Sequence, residues 1–204
     1  MTAPDAASIF HSRFNRIMAV VIWVLCAGAL AAIVVSFSAK HLIYLVPVAL
    51  LAYLAWTGLW QLSVRVDDTA VTLVNVFSTV TVPWAALIQV NTRFALTLHT
   101  PWAKFTASAA PAPSRVGTVI GKKDSAGLDP GLTAGGSVRP SDLPASDSGA
   151  AAYLVRERWH KLSEAGLIEL GVAETTPAVR RWHWASLAIC GVLLLASLAL
   201  LTTV

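Results

Sequence analysis

Leu62-Ser63-Val64-Arg65-Val66-Asp67-Asp68-Thr69-Ala70-Val71-Thr72-Leu73-Val74-Asn75 is the stretch on which the reading of the fold turns. Leu62, Val64 and Val66 alternate with Ser63 and Arg65, the period of a half-buried strand. Asp67-Asp68-Thr69 has turn chemistry. Val71 and Leu73, with Asn75 in line, then alternate against Thr72 and Val74. Two short β-branched runs joined by a tight polar turn predict an antiparallel hairpin.

Downstream the pattern repeats. Asn75–Ser78 is a second turn region, and Val80 and Val82 alternate with Thr79 and Thr81. Pro83-Trp84 breaks the run, and Ala85–Val90 reads as a short strand or a helical turn. Phe94, Leu96 and Leu98 face opposite to Ala95, Thr97 and His99, Thr100-Pro101 turns, and Trp102–Ala109 is a further strand candidate. Such a meander is expected to curl into a barrel or half-barrel, since a flat sheet would leave its apolar face wet.

Beyond it the composition breaks at Ala109-Ala110-Pro111-Ala112-Pro113. Residues 115–121 hold one more short strand candidate. Residues 124–149, rich in Gly, Ser, Ala, Pro and Asp, read as a disordered linker too poor in apolar groups to repay ordering. The spacing of Asp124, Asp129, Asp142 and Asp147 does not fit a calcium loop. The helical period returns over 150–167, with Ala152, Val155, Trp159 and Leu162 on one stripe and Gly166 as a stop. Val155, Trp159 and Leu162 are expected to plug the open end of the barrel, Trp159 at the centre.

On either side of this segment lie three apolar stretches of about 21 residues, 17–37, 42–62 and 184–204, none with Asp, Glu, Lys or Arg. Each is long enough for a ~30 Å hydrocarbon core. They predict an N-terminal transmembrane helical hairpin and a third, C-terminal span. With residues 1–15 cytoplasmic, fourteen of the fifteen Lys and Arg residues fall on the cytoplasmic side and only Lys40 lies outside. That topology accounts for the net charge of +4 without nucleic acid. Trp56, Trp60, Trp182 and Trp184 fall at the cytoplasmic interface, where indole suits the headgroup region. The C-terminus is then extracytoplasmic. Cys26 and Cys190 lie within apolar stretches and exclude a disulfide framework in the polar segment.

A β-meander closed by an amphipathic helix resembles a pleckstrin-homology (PH) domain. Residues 62–68 and 71–75, the Pro83-Trp84 pair opening Val82–Leu87, and Trp102-Ala103-Lys104-Phe105 before Ala110–Pro113 carry the resemblance. It is to the bacterial PH domain family typified by low molecular weight protein antigen 6. The resemblance implies a PH-like fold, which with the apolar stretches makes a membrane protein of α+β class. Its PH-like antiparallel β domain would span 62–123 in the cytoplasm and be closed by the helix at 150–167. It brings no catalytic residues and no cofactor. Phosphoinositide binding is not carried over, because Asp67-Asp68 occupy the turn where a basic cluster would be needed.

The five histidines are scattered, and no hydrolase, zincin, phosphate-loop or dinucleotide motif is present. The expectation is a non-enzymatic module that presents its sheet edge, or a groove beside the helix, to a membrane or cytoplasmic protein. The alternative is sensing of lipid headgroups or the membrane surface. Arg93, Lys104, Arg115, Lys122 and Lys123 are the candidate lipid or partner contacts. A third reading, an accessory subunit of a transporter or membrane enzyme, is weakened by the absence of ionisable groups within the apolar stretches.

Overall fold

The computed structural model describes residues 7–36, 39–111, 146–169 and 171–202. Five strands form one antiparallel sheet in the order β1-β2-β3-β4-β8: β1 Ser8–Phe10, β2 Ser63–Val66, β3 Ala70–Val74, β4 Ser78–Pro83 and β8 Val179–Trp182. Three more form a second sheet, β5-β6-β7, with β5 Gln89–Asn91, β6 Ala95–His99 and β7 Lys104–Pro111. Trp84–Ala86 make a single 3-10 turn, so the ambiguous stretch 85–90 divides into a turn and a strand.

The inner faces meet in one core. Val64, Val71, Leu73, Val82, Leu96 and Leu98 are fully buried in it. Each such side chain contributes roughly 1.5–3 kcal/mol relative to exposure. The buried residues of β2, β3 and β4 include the alternating positions of the opening hairpin, so one face of the pleat supplies that layer. Asn75, in the β3–β4 turn, donates from its side-chain amide to the Thr106 carbonyl at 3.0 Å and accepts from the Ser108 N–H at 2.8 Å. One amide thus does for the β7 edge what a neighbouring strand would do.

Among the described residues three apolar helices accompany the sheets. Helix α1 runs Arg13–Val35 and α2 Leu45–Ala55, preceded by a 3-10 segment Ala39–Tyr44 and followed by a π-helical turn Trp56–Trp60. Pro47 sits in the first turn of α2, where its missing N–H marks the change from 3-10 to α rather than a mid-helix kink. Helix α3 spans Asp147–Glu164 and α4 Trp184–Leu201. Helix α2 packs against both α1 and α4. The segments Arg13–Val35 and His41–Trp60 are long and apolar enough to cross a membrane, and the third apolar helix is shorter.

Helix α3 begins at Asp147, not at 150. Ser146 caps it by accepting from the Gly149 N–H at 3.0 Å. It ends in a Schellman turn: Leu167 N–H reaches the Leu162 carbonyl at 2.9 Å, and Gly166 takes φ +68°. Its inner face is made of Ser148, Gly149, Ala151, Ala152, Val155 and Leu162, all buried. The small residues let the helix axis approach β2, β5, β6 and β7 closely. Trp159 is not the central plug. It is only partly buried at the rim of the core, and Ala151, Ala152, Val155 and Leu162 occupy the centre.

Two of the described strands lie outside the span 62–123. Ser8–Phe10, expected as part of a cytoplasmic tail, pairs with β2, and Val179–Trp182 pairs with β4. The segments 115–121 and 124–145 lie outside the described residues.

The register places the helix junctions. Phe10 is opposite Val64, Ser63 opposite Val74, and Val74 opposite Thr79, while Ser78 is opposite Trp182. The end of β1, the start of β2 and the end of β8 therefore share one end of the five-stranded sheet. All three apolar helices join the domain there. The Asp67–Thr69 turn is at the far end, about 15 Å away at ~3.3 Å per residue.

Candidate functional site

A cleft of about 290 Å³ lies between the edge strand β5 and helix α3, lined by Leu87, Ile88, Gln89, Val90, Arg156, Trp159 and His160. The strand side is set by hydrogen-bond alternation. Thr100 donates to the Ala103 carbonyl at 2.9 Å, so in the β6–β7 ladder the next pair along to exchange bonds is Leu98 with Phe105. Thr97 and His99 consequently turn their backbone groups toward β5, opposite Asn91 and Gln89. Val90, between them, points its C=O and N–H away from β6 and into the cleft. The Arg156 guanidinium donates to that carbonyl at 3.3 Å.

The helix side follows from the same periodicity that buries α3. Val155 and Leu162 are on the buried stripe. Arg156, Trp159 and His160, spaced i, i+3 and i+4, form the adjacent strip that overlooks β5. Trp159 and His160 meet edge to face with centroids 5.5 Å apart. Ile88 is 62% exposed at the cleft mouth. The walls are thus apolar and aromatic, with one guanidinium, one imidazole and an edge of backbone.

The residues proposed from sequence do not gather here. Arg93 is in the β5–β6 turn, its guanidinium 5.1 Å from the centroid of the exposed Phe94 ring. Lys104 opens β7 opposite His99, at the other end of β6. Arg115, Lys122 and Lys123 lie outside the described residues. Of the helix residues, Val155 and Leu162 are core and Trp159 is a cleft wall. Ile88, Gln89, Val90, Arg156 and His160 were not singled out from sequence. The position of Arg156 and His160 one step around the helix from the apolar stripe is the signal that would have found the helical pair.

The acidic turn at the far end has a structural job. The Asp67 carboxylate accepts from the Thr69 N–H at 2.9 Å, the Thr69 hydroxyl at 2.8 Å and the Ala70 N–H at 2.7 Å. Burial pushes its pKa up, but these bonds and the nearby Arg158 charge outweigh burial and hold it below the ordinary carboxylate value. Asp68 forms an ion pair with Arg158 of α3. The Trp84 indole N–H donates to the Asp67 carbonyl at 3.0 Å. The turn therefore ties β2–β3 to the core and to α3. Among the described residues no three His, Cys, Asp or Glu side chains converge as a metal site would require.

No curated protein and no solved structure matches the chain. Residues 61–119 match the model of the family described as Bacterial PH domain, which covers less than a third of the chain. That segment holds β2 through β7 and both walls of the core, while β1, α3 and β8 come from outside it. Within residues 61–119, this chain carries a bacterial PH domain.

Proposed function

We propose that this chain is a multi-pass membrane protein that presents its PH domain in the cytoplasm as a non-enzymatic protein-interaction module. On this reading α1, the 41–60 helix and α4 cross the bilayer, and the domain is held from its N-terminal and C-terminal sides. The shared end of the sheet from which all three helices leave supports the tethering. The distribution of Lys and Arg supports the cytoplasmic side.

The cleft between β5 and α3 is the proposed partner site. The observation that carries this is the Val90 backbone, directed out of its sheet beside an apolar wall of Ile88 and Trp159. An extended segment of a partner protein would add along β5, take up the Val90 groups in place of Arg156 and seat an apolar side chain against Trp159. Hot-spot energetics favour a Trp and an Arg at such a position.

A photo-crosslinking residue at Ile88 or at His160, in the full chain and in cell membranes, tests the site. One discrete protein adduct at both positions, lost on Trp159→Ala and not obtained from Tyr153 on the exposed side of α3, is the expected result. The same adducts from Tyr153, or none from the cleft positions, would remove the cleft from the reading.

A further inference from the structure

Strand β8 carries a surface that the core between the two sheets does not use. Its residues are all exposed, although the strand is fully paired with β4. Arg180 lies opposite Val80 and Trp182 opposite Ser78, both of them buried residues of β4. Arg180 and Trp182 thus extend the inner face of the five-stranded sheet past the point where the second sheet covers it. Val179 and Arg181 are on the outer face, in line with Thr81 and Thr79.

The uncovered face is organised. The Arg180 guanidinium is 3.9 Å from the Trp182 ring centroid, within cation–π distance. Trp182 and Trp184 have ring centroids 6.3 Å apart and are 47% and 72% exposed. Neither Arg180 nor Arg181 has a carboxylate partner among the described residues. His183 is held between strand and helix: its backbone N–H reaches the Phe77 carbonyl at 2.8 Å, and its ring bonds the Thr79 hydroxyl at 2.9 Å.

The strand's position selects the occupant. Only His183 separates Trp182 from the first residue of α4, an apolar helix. The rings are therefore within about 7 Å of the apolar segment along the chain. A second copy paired antiparallel on this edge does not fit. Antiparallel pairing of two β8 edges would send their α4 helices in opposite directions, which a single bilayer face forbids. Two positive side chains and two indoles at the depth of the phosphates complement an anionic lipid surface.

We propose that β8 is a lipid-contact strand. Arg180 and Arg181 take anionic phospholipid headgroups while Trp182 and Trp184 sit in the interface, fixing the tilt of the PH domain on the membrane. This rests on the membrane-crossing reading of α4 above. It uses a different surface from the cleft and from Arg93 and Lys104.

Hydrogen exchange on the full chain tests it, in nanodiscs of phosphatidylcholine alone and of phosphatidylcholine with phosphatidylglycerol. The expected result is slower exchange over residues 179–183 with phosphatidylglycerol, by roughly fivefold for each arginine engaged. High salt or the Arg180→Gln/Arg181→Gln double variant should abolish the difference, with exchange in β3 unchanged as the control for folding. Equal exchange in the two lipids, or a phosphatidylglycerol effect that survives the double variant, would overturn the proposal. Flotation with liposomes separates the two levels. A chain that floats but shows no lipid dependence loses only the β8 contact, and a chain that does not float loses the membrane-crossing reading as well.

Discussion

The hydroxyl of Ser12 donates a 2.6 Å hydrogen bond to the carboxylate of Asp147, joining the N-terminus of α1 to the first turn of α3 across 135 residues. Ser12 is also the N-cap of α1 and accepts from the Asn15 N–H at 3.1 Å. One buried hydroxyl thus caps an apolar helix and anchors the helix that closes the PH domain. At the other end of α3, Arg158 is paired with Asp68. The helix is pinned at the apolar-helix end of the sheet and at the far end.

Ser12→Ala should cost about 1–2 kcal/mol, from the lost cap and the lost bond to a charged acceptor. Exchange rates in α3 should rise with those at the start of α1. A double-mutant cycle with Asp147→Ala should give a coupling of about 1 kcal/mol. Strict additivity would mean that the bond contributes nothing.

Val155→Ala and Trp159→Ala should separate stability from binding. Val155 is fully buried, and its truncation should destabilise the domain by about 1–3 kcal/mol. Trp159 is at the rim, so Trp159→Ala should lower the melting temperature less than the size of the side chain implies, while removing partner adducts from the cleft. Thermal melts and crosslinking on the same preparations would check both.

Acid should loosen the far turn. The folded Asp67 carboxyl holds its proton less tightly than an unfolded one. The unfolded state therefore binds more protons, and the contribution of Asp67 to stability rises with pH. It is fully present above the unfolded value of about 3.8 and is lost as pH falls through the lower folded value. Asp67→Asn should flatten this acid limb and cost about 1 kcal/mol at neutral pH, since partial exposure screens the charge. An unaltered acid limb in the variant would remove Asp67 as its source.

Ser63→Ala should be neutral or stabilising. The Ser63 hydroxyl is buried and has no hydrogen-bond partner among the described residues. Removing an unsatisfied buried group relieves a penalty of about 1 kcal/mol or more. A clear loss of stability in a chemical melt would show that the hydroxyl has a partner.

The inner strands were legible because their alternation is enforced by burial. Val64, Val66, Val71, Leu73, Val80 and Val82 must all face the core, and the period of two follows. The outer strands were not. Ser8–Phe10 is three residues long, too short for a period, and exists because β2 offers it an edge. Val179–Trp182 carries two arginines that read as a charge flank for the third apolar stretch. An edge strand with no covered face tolerates such residues, and charge there is the usual protection of an edge. The helix start was missed by three residues because Ser146, Ser148 and Gly149 share the composition of the preceding linker. The cleft was only half visible. A groove beside the helix is implied by an amphipathic α3, but the outward direction of Val90 depends on the β6–β7 register, which no local pattern encodes.

On the proposed reading a PH domain hangs from one face of a bilayer by helices at both of its ends. Single cysteines at Ser8, Lys40, Thr69 and Thr202, in a chain with Cys26 and Cys190 replaced, can be labelled with a membrane-impermeant maleimide in intact cells and after lysis. Positions 40 and 202 are expected to react in intact cells, and 8 and 69 only after lysis. Labelling of 69 together with 40 in intact cells would contradict it.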